Sequence, residues 1–318
     1  MEYKGFHFTL FTILTVVLLL SSTFLPIAYA ETSQDVEQTV YRVSKVVEEL
    51  RGLNYKQVPP VHILESEEAV SGLGLSEWKE WELAQQEYEA LYLVPEGVSA
   101  KELLEEFYGS ALLGYYDARK NEIVVVGGAE TPLDKGVLAH ELTHALLDQY
   151  YPEAFETSYG LTDRDLALSA VLEGDAELVE DMFESGGYDC DLNFKTSSTS
   201  IPLGIIYLQL FPYFEGYNFV KRLKKVGGWE AVNRAYANPP ESSEQVIHPS
   251  KYPYEKPLEV KVGEAGFREW KFLGEDVLGE ASIFIMFWDK GLVSFQVSSQ
   301  GRLTYKSALS DGLSLIHI

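Results

Sequence analysis

The sequence predicts an α+β protein that is mostly helical, with a small sheet beside one central helix. Apolar residues recur at helical spacing through much of the chain, which indicates amphipathic helices sharing a core. Two apolar runs flank a turn at 117–121, a pattern typical of a β-hairpin. The second run, 122–127, leads directly into the central helix at 131–151. We expect it to be an edge strand beside that helix, either pairing with an extended ligand or serving only the core.

The N-terminal thirty residues have the pattern of an export signal. Lys4 gives a positive start, Phe8–Leu20 an apolar core, and Ala28–Ala30 a small-x-small cleavage site. The uncharged stretch is also long enough to anchor the chain in a membrane through residues 6–29. In both cases the remainder, 31–318, is predicted to be extracytoplasmic: secreted, or anchored to the outer face of the cell membrane.

Charge and cysteine content restrict the function. The net charge of −24, from 49 acidic and 25 basic residues, would repel a nucleic-acid backbone, so no nucleic-acid partner is expected. Cys190 is the only cysteine, so an exported chain has no internal disulfide. The 20 Tyr, 16 Phe and 5 Trp residues favour a packed apolar core instead.

The central helix carries an H-E-x-x-H motif, from His140 to His144. Thr131 is a suitable helix cap, and Pro152 marks the end of the helix. Residues four apart lie one turn apart on the same face, so the two imidazoles can bind one zinc ion at about 2.0–2.1 Å. Glu141 projects beside this pair, where a general base for zinc-activated water is expected. The alternative is an ordinary surface face of a helix that carries two histidines without binding a metal.

A second helix, predicted at Asp163–Ser185, is the best source of the third ligand that a catalytic zinc usually has. Glu173 lies in an otherwise apolar stretch of this helix, where a carboxylate is costly unless paired or metal-bound. Gly174 would allow close approach to the motif helix. Glu177, one turn further on, could accept a hydrogen bond from the outer N–H of a ligating histidine. Spacing alone equally allows every acid of this helix to face water.

The motif helix resembles that of the thermolysin-like zinc peptidases, the gluzincins, whose second helix carries E-x-x-x-D. Over about 110–255, the chain is similar to a bacterial and archaeal group of exported H-E-x-x-H proteins. The resemblance implies a zincin-like fold with Glu173 as the third zinc ligand. It also implies that Glu177, which replaces the aspartate of thermolysin-like enzymes, orients an imidazole, and that Asp148 supports the site. The matching segments are Gly114–Asp117, His140–Gln149, Glu173–Ala176 and Glu244–Tyr252.

The chain after the leader is predicted to divide at 187/188. The part before this boundary carries both metal helices, and the helical part after it completes the site. There, His248 and Tyr252 are candidates to stabilise the oxyanion that forms when water attacks a carbonyl. A structural His–Pro turn is the alternative for this segment.

The C-terminal region is predicted to contain a helix at Trp270–Trp288 and a hairpin at 293–305. The final residues, Leu313–Ile318, are unusually apolar for a terminus. We therefore expect that the sequence is truncated there or that its last residues are not native.

These patterns predict an exported zinc-dependent metallopeptidase acting on a peptide or protein substrate. The ion, Zn²⁺, would be held by His140, His144 and Glu173, and Glu141 would take a proton from the activated water and pass it to the leaving amine. Two alternatives stay open: a non-catalytic exported zinc-binding protein that keeps the site as a scaffold, and a zinc hydrolase of non-peptide substrates. A purely structural zinc has no use for a general base and usually has four protein ligands, which favours an enzyme.

Overall fold

The computed structural model describes residues 12–16, 33–74, 81–127, 133–156, 163–184, 201–258, 276–292, 294–297 and 303–306. Over these residues, the prediction of a mostly helical α+β protein with a small sheet is confirmed. The helices are α1 Ser33–Arg51, α2 Ser66–Gly72, α3 Trp81–Ala90, α4 Ala100–Ala111, α5 Lys135–Asp148, α6 Pro152–Phe155, α7 Asp163–Phe183, α8 Leu203–Ala237, α9 Ser243–Ile247 and α10 Glu280–Asp289. The strands are β1 Thr12–Val16, β2 Val61–Leu64, β3 Leu112–Asp117, β4 Glu122–Val126, β5 Ser294–Val297 and β6 Leu303–Lys306.

The larger sheet has the strand order β1-β3-β4-β2. β3 pairs antiparallel with β1 and with β4, so the predicted hairpin is present. β2 pairs parallel with β4, with Val61 opposite Ile123. The prediction that 122–127 is an edge strand is therefore wrong, because β4 has a partner on each side. Parallel strands require a long crossover, so this pairing leaves no local signal in the sequence.

The sheet contacts the motif helix through β3. A Cβ atom placed on Gly114 would lie 2.9 Å from Cγ1 of Val137 and 3.4 Å from Cγ of Glu141, so the absence of a side chain allows close approach. On the other side of α5, the second predicted helix is present as α7, and α8 packs against α7 in turn. The motif helix thus lies between the sheet and the helical layer.

The closest approach of α7 and α8 occurs at Gly174 and Gly216. A Cβ atom on Gly174 would collide with the backbone of Gly216, and one on Gly216 would collide with the backbone of Ala170. Both positions therefore require glycine for steric reasons. This contact places the segment of α7 that begins at Glu173 directly against α8.

The motif helix begins later than predicted, and α8 is interrupted near its middle. α5 begins at Lys135, and the carboxylate of Asp134 caps it by accepting hydrogen bonds from the N–H groups of Gly136 (2.9 Å) and Val137 (3.2 Å). The predicted cap, Thr131, lies outside the described residues. α8 contains two helical parts separated by Gly227 and Gly228, the latter at φ 64°, a conformation that favours glycine.

The C-terminal elements agree in part with prediction. α10 covers the predicted helix only from Glu280 onward and ends at Asp289; residues 276–279 are not helical, and 270–275 fall outside the described residues. β5 and β6 pair antiparallel as the predicted hairpin. The 187/188 boundary, the terminal residues 313–318, and all of the predicted leader except β1 also fall outside the described residues. No helix in the described part of the chain combines the length and apolarity needed to cross a membrane.

Candidate metal centre

The H-E-x-x-H motif lies in the interior of the protein, on the part of α5 that packs between β3 and α7. The side chains of His140, Glu141 and His144 are all fully buried. A buried polar group is costly unless it has a partner, so their surroundings decide what the motif can do. α5 is apolar around the motif, with Leu138 and Leu142 also fully buried, so the helix is held on several sides.

Three donor atoms converge at the centre of this region. Nε2 of His140 lies 3.0 Å from Nε2 of His144. Oε2 of Glu173, from α7, lies 3.3 Å from the first and 3.2 Å from the second. These three buried residues form a group that could hold a metal ion. Ligand atoms placed tetrahedrally at about 2.0–2.1 Å from a zinc ion are about 3.3 Å apart, so the donors fit such an ion.

The pKa shifts at the centre favour metal-binding forms of two of these residues. Burial lowers the pKa of His144, which favours the neutral imidazole that binds metals. Burial acts to raise the pKa of Glu173, but His144 and His140 outweigh it and lower the pKa below its usual value. For His140, burial acts to lower the pKa, whereas hydrogen bonds to Glu173 and Glu180 raise it well above its usual value.

Glu141 lies beside the three donors and contacts β3. Burial raises the pKa of its carboxyl group well above the usual range, and the nearby charges of Glu173 and Glu180 add to this effect. The backbone N–H of Tyr116 in β3 donates a hydrogen bond to the carboxylate and acts in the opposite direction. A raised pKa brings a carboxyl group closer to the operating pH at which a general base is most effective.

The outer nitrogen of His140 contacts a residue that the sequence analysis missed. Nδ1 of His140 lies 2.9 Å from Oε2 of Glu180, whereas the predicted partner, Glu177, is 3.7 Å away. The assignment of Glu177 as the orienting residue is therefore corrected to Glu180. The signal was available, because Glu180 lies seven residues, or two turns, after Glu173 on the same face of α7.

The carboxylates near His140 also form a second group that could hold an ion. One ligand atom from each of His140, Glu177 and Glu180 lies within 4.8 Å of the other two, as in the central group. Burial and the neighbouring Glu180 raise the pKa of Glu177 to about 8. Because this group uses Nδ1 of His140, it adjoins the central donors without sharing their atoms.

Asp148 does not occupy the predicted place beside an imidazole. Its Oδ2 accepts a hydrogen bond of 2.7 Å from the hydroxyl group of Tyr116. The side chain therefore joins the end of α5 to β3. Because the same tyrosine bonds Glu141 through its backbone, Asp148 supports the strand that contacts the site.

The structure does not bring His248 and Tyr252 to the three donors. Nε2 of His248 lies 3.0 Å from Oε1 of Glu280, and the hydroxyl group of Tyr252 donates a 2.6 Å hydrogen bond to the carbonyl oxygen of Asn238. These contacts agree with the alternative reading of the segment as a structural turn. The contact between His248 and Glu280, called here the His248 junction, joins the end of α9 to the start of α10.

A buried ion pair fixes α7 next to Glu173. Asp175 accepts hydrogen bonds of 2.9 Å from Nε and Nη2 of Arg51 and from the hydroxyl group of Tyr236. Both members of the ion pair are fully buried, and the guanidinium group lies 4.3 Å from the ring of Trp229. Since removing one partner of a buried pair is strongly destabilising, this contact holds α1, α7 and α8 together.

No protein-family model and no curated protein matches this chain. Among solved structures, the chain is similar to a protein from Chloroflexus aurantiacus described as "a putative hydrolase with a novel fold". The two share 16% sequence identity over 70% of this chain and 91% of the other, with a TM-score of 0.38. The fold and the site together define an α+β protein with a buried His–His–Glu group able to hold a metal ion.

Proposed function

We propose that the protein is an exported zinc-dependent metallopeptidase of zincin-like fold that hydrolyses peptide bonds in a peptide or protein substrate. The observation that carries this proposal is the convergence of His140, His144 and Glu173, with Glu141 next to them on the same helix. Export is inferred from the leader pattern of residues 1–30.

In the proposed mechanism, His140, His144 and Glu173 hold the zinc ion. When bound, the ion supplies Lewis-acid polarisation and lowers the pKa of a coordinated water to about 7. Glu141 accepts the proton from the attacking water and later delivers it to the leaving amine. Its burial suits this role, because a raised pKa brings the carboxyl group closer to the operating pH of a general base.

The residues around the donors restrict their motion. Oε2 of Glu180 accepts a hydrogen bond from Nδ1–H of His140. This bond selects the tautomer in which Nε2 is free to bind the ion. The backbone N–H of Tyr116 fixes the carboxylate of Glu141 from the side of the sheet. Such positioning reduces the rearrangement needed during the reaction.

Two other functions are compatible with the same donors. A non-catalytic zinc-binding protein would use the three ligands but has no need of a buried carboxyl group beside them. A zinc hydrolase of non-peptide substrates would use the same residues, and the chemistry of the site alone does not distinguish it from a peptidase. The experiment must therefore test metal content and substrate class together.

The test compares the full chain with Glu141→Gln in two measurements: zinc content by mass spectrometry and cleavage of a peptide library. We expect about one zinc per chain in both proteins. We expect cleavage by the wild type and a rate lower by about 10²–10⁴-fold in the variant, since a general base contributes that much. Equal cleavage by the two proteins would refute the mechanism. Zinc without cleavage of any peptide would leave one of the two alternatives.

A further inference from the structure

A cavity lies on the face of the larger sheet that points away from the motif helix. Tyr115 in β3, Val124 in β4 and His62 in β2 are neighbours in one row across the three strands. Gly114, which precedes Tyr115 in β3, faces Val137 of α5. Successive residues of a strand point to opposite faces, so this row lies on the other face. The cavity, of about 740 Å³, lies between that face and α2.

The wall of the cavity combines buried apolar surface with exposed carboxylates. The buried surface comes from Val124 and from the ring of Tyr115. The exposed carboxylates come from the start of α2 and belong to Glu65, Glu67 and Glu68, which we call the rim glutamates. Such a wall suits a ligand that carries both hydrocarbon surface and positive charge.

Negative charge in the cavity exceeds the positive charge that the protein supplies. Glu122 adds a fourth carboxylate to the wall, and its Oε1 lies 3.8 Å from Nε2 of His62. The lysine of the wall, Lys120, has its Nζ 3.2 Å from Oδ2 of Asp117. The rim glutamates form no ion pair with any residue in the described part of the chain. The cavity therefore repels anions and attracts cations.

The hydroxyl group of Tyr115 is a second, independent indication of a ligand. Tyr115 is only 2% exposed, and a Cβ atom on Gly72, another wall residue, would collide with its hydroxyl oxygen. This hydroxyl group makes no hydrogen bond to the residues that the structure describes. Burial, followed by the charges of Asp117 and Glu122, raises its pKa above the usual value, so the phenol is neutral. A largely buried hydroxyl group without a partner is costly, which indicates that a ligand bonds it.

The form of the cavity favours an extended organic cation over a metal ion. A metal ion needs several ligand atoms that converge on one point. Within the described ranges, the groups of acidic and histidine side chains that could hold an ion lie at the metal centre instead. The volume of about 740 Å³ is that of a small-molecule site. Ammonium groups joined by methylene chains, as in a linear polyamine, match its separate carboxylates and its apolar surface.

We propose that this cavity binds a linear polyamine. The ammonium groups pair with the rim glutamates, and one N–H group donates a hydrogen bond to the hydroxyl oxygen of Tyr115. The methylene groups pack on Val124 and on the Tyr115 ring. Binding is noncovalent and is independent of the proposed peptidase activity, because no residue of the cavity belongs to the metal centre.

The test measures the binding of spermidine to the full chain by calorimetry at constant ionic strength. Glu67→Gln/Glu68→Gln removes two charges from the cavity, and Tyr115→Phe removes the hydroxyl group but keeps the ring. Neither variant loses a contact within the described part of the chain, so both should fold like the wild type. Glu96→Gln/Glu153→Gln is the control matched for charge, since both glutamates are exposed and lie outside the cavity.

We expect one spermidine per wild-type chain. Glu67→Gln/Glu68→Gln should raise the Kd about fivefold, because each exposed ion pair contributes little. Tyr115→Phe should raise it about tenfold, because a hydrogen bond from a charged donor is stronger. The control should leave the Kd near the wild-type value.

Three results would overturn the inference. Binding that does not saturate, or an equal rise of the Kd in the control, would show only general attraction to a chain with a net charge of −24. A wild-type Kd in Tyr115→Phe would show that the phenol does not contact the ligand. Displacement of spermidine by an equal concentration of calcium chloride would assign the carboxylates to a metal ion.

Discussion

The metal centre and the His248 junction both join histidine to glutamate, but in different surroundings. At the centre, His140 and His144 are fully buried, and three donor atoms lie within 3.3 Å of one another. At the junction, the side chain of His248 is 37% exposed and meets one carboxylate, that of Glu280, at 3.0 Å. A half-exposed pair is stable by itself, whereas a buried convergent set is costly without an ion. The difference teaches that convergence and burial distinguish the candidate metal centre from the junction, whereas residue type does not.

The largest expected effect, on zinc content and hydrolysis, comes from removing one carboxylate from the metal centre and, for comparison, one from the His248 junction. Glu173→Ala should lose bound zinc and reduce hydrolysis to the background rate, because two imidazoles alone leave a catalytic zinc with too few protein ligands. Glu280→Ala should keep zinc and most activity, because the hydrogen bond of Glu280 within the described part of the chain goes to the junction histidine. Mass spectrometry of the purified proteins and a peptide-cleavage assay measure both quantities. If Glu280→Ala lost zinc and Glu173→Ala retained it, the functional assignments of the two regions would have to be exchanged.

The next effect concerns the helix contact that brings Glu173 to the centre. Gly216→Ala should lower the free energy of unfolding by about 1–3 kcal/mol, because the added methyl group collides with the backbone of α7. Gly109→Ala is the control, since a Cβ atom at this helical position has no neighbour within 4 Å and alanine favours the helix. Urea denaturation measures both variants. Similar stability of the two proteins would show that the close approach of α7 and α8 is not required.

A smaller effect distinguishes the two acids next to His140. Glu180→Gln should weaken zinc binding by about 10-fold or more, because the carboxylate orients the imidazole from 2.9 Å. Glu177→Gln, at the longer distance, should weaken it by less. Competition with a fluorescent zinc chelator measures the two affinities. If Glu177→Gln weakened zinc binding more than Glu180→Gln, Glu177 would again be the residue that orients His140.

The smallest effect is a pH dependence near the His248 junction. Asp163 accepts a 3.0 Å hydrogen bond from the N–H of Ser243, and burial raises the pKa of its carboxyl group to about 6. In the unfolded chain, an aspartate titrates near about 4. Between these values the folded state binds more protons, so the free energy of unfolding falls as the pH rises from about 4 to 6.

The variant Asp163→Asn keeps an acceptor for Ser243 but cannot ionise. We expect the wild type to lose more stability than the variant over this pH range, as measured by urea denaturation at several pH values. The pKa of His248 is raised by its hydrogen bond to Glu280. This pair loses stability only as the pH rises above about 6.5, the ordinary value for histidine, which lies outside the range of the experiment. Parallel pH profiles of stability in the two proteins would show that Asp163 does not cause the pH dependence.

The parts of the centre that lie within one helix could be predicted from the sequence. His140, Glu141 and His144 follow from helical spacing, because residues four apart share a face. Glu173 required more: its place in an apolar stretch and a resemblance to known peptidases. The motif helix, the helix that carries Glu173 and both hairpins followed from apolar periodicity and turns. β1, which lies within the predicted leader, did not.

The remaining features depend on contacts between segments far apart in the chain. The parallel pairing of β2 with β4 made the predicted edge strand an internal one. The ring of Tyr213 stacks on His140 from α8, which approaches α7 closely at Gly174 and Gly216. His248 belongs to a His–Pro segment whose chemistry would suit a catalytic site, yet its partner comes from α10. Local patterns do not specify such packing, so the tertiary structure was needed.

The ion pair between Arg51 and Asp175 has a consequence for how the protein matures. The cation comes from α1, the first helix described after the predicted leader, and the anion lies two residues from Glu173. Until α1 docks, α7 would carry a carboxylate into the interior with no positive charge to balance it. Docking of α1 and placement of Glu173 are therefore coupled, because the segment of α7 that carries Glu173 is balanced by a cation from the N-terminal helix.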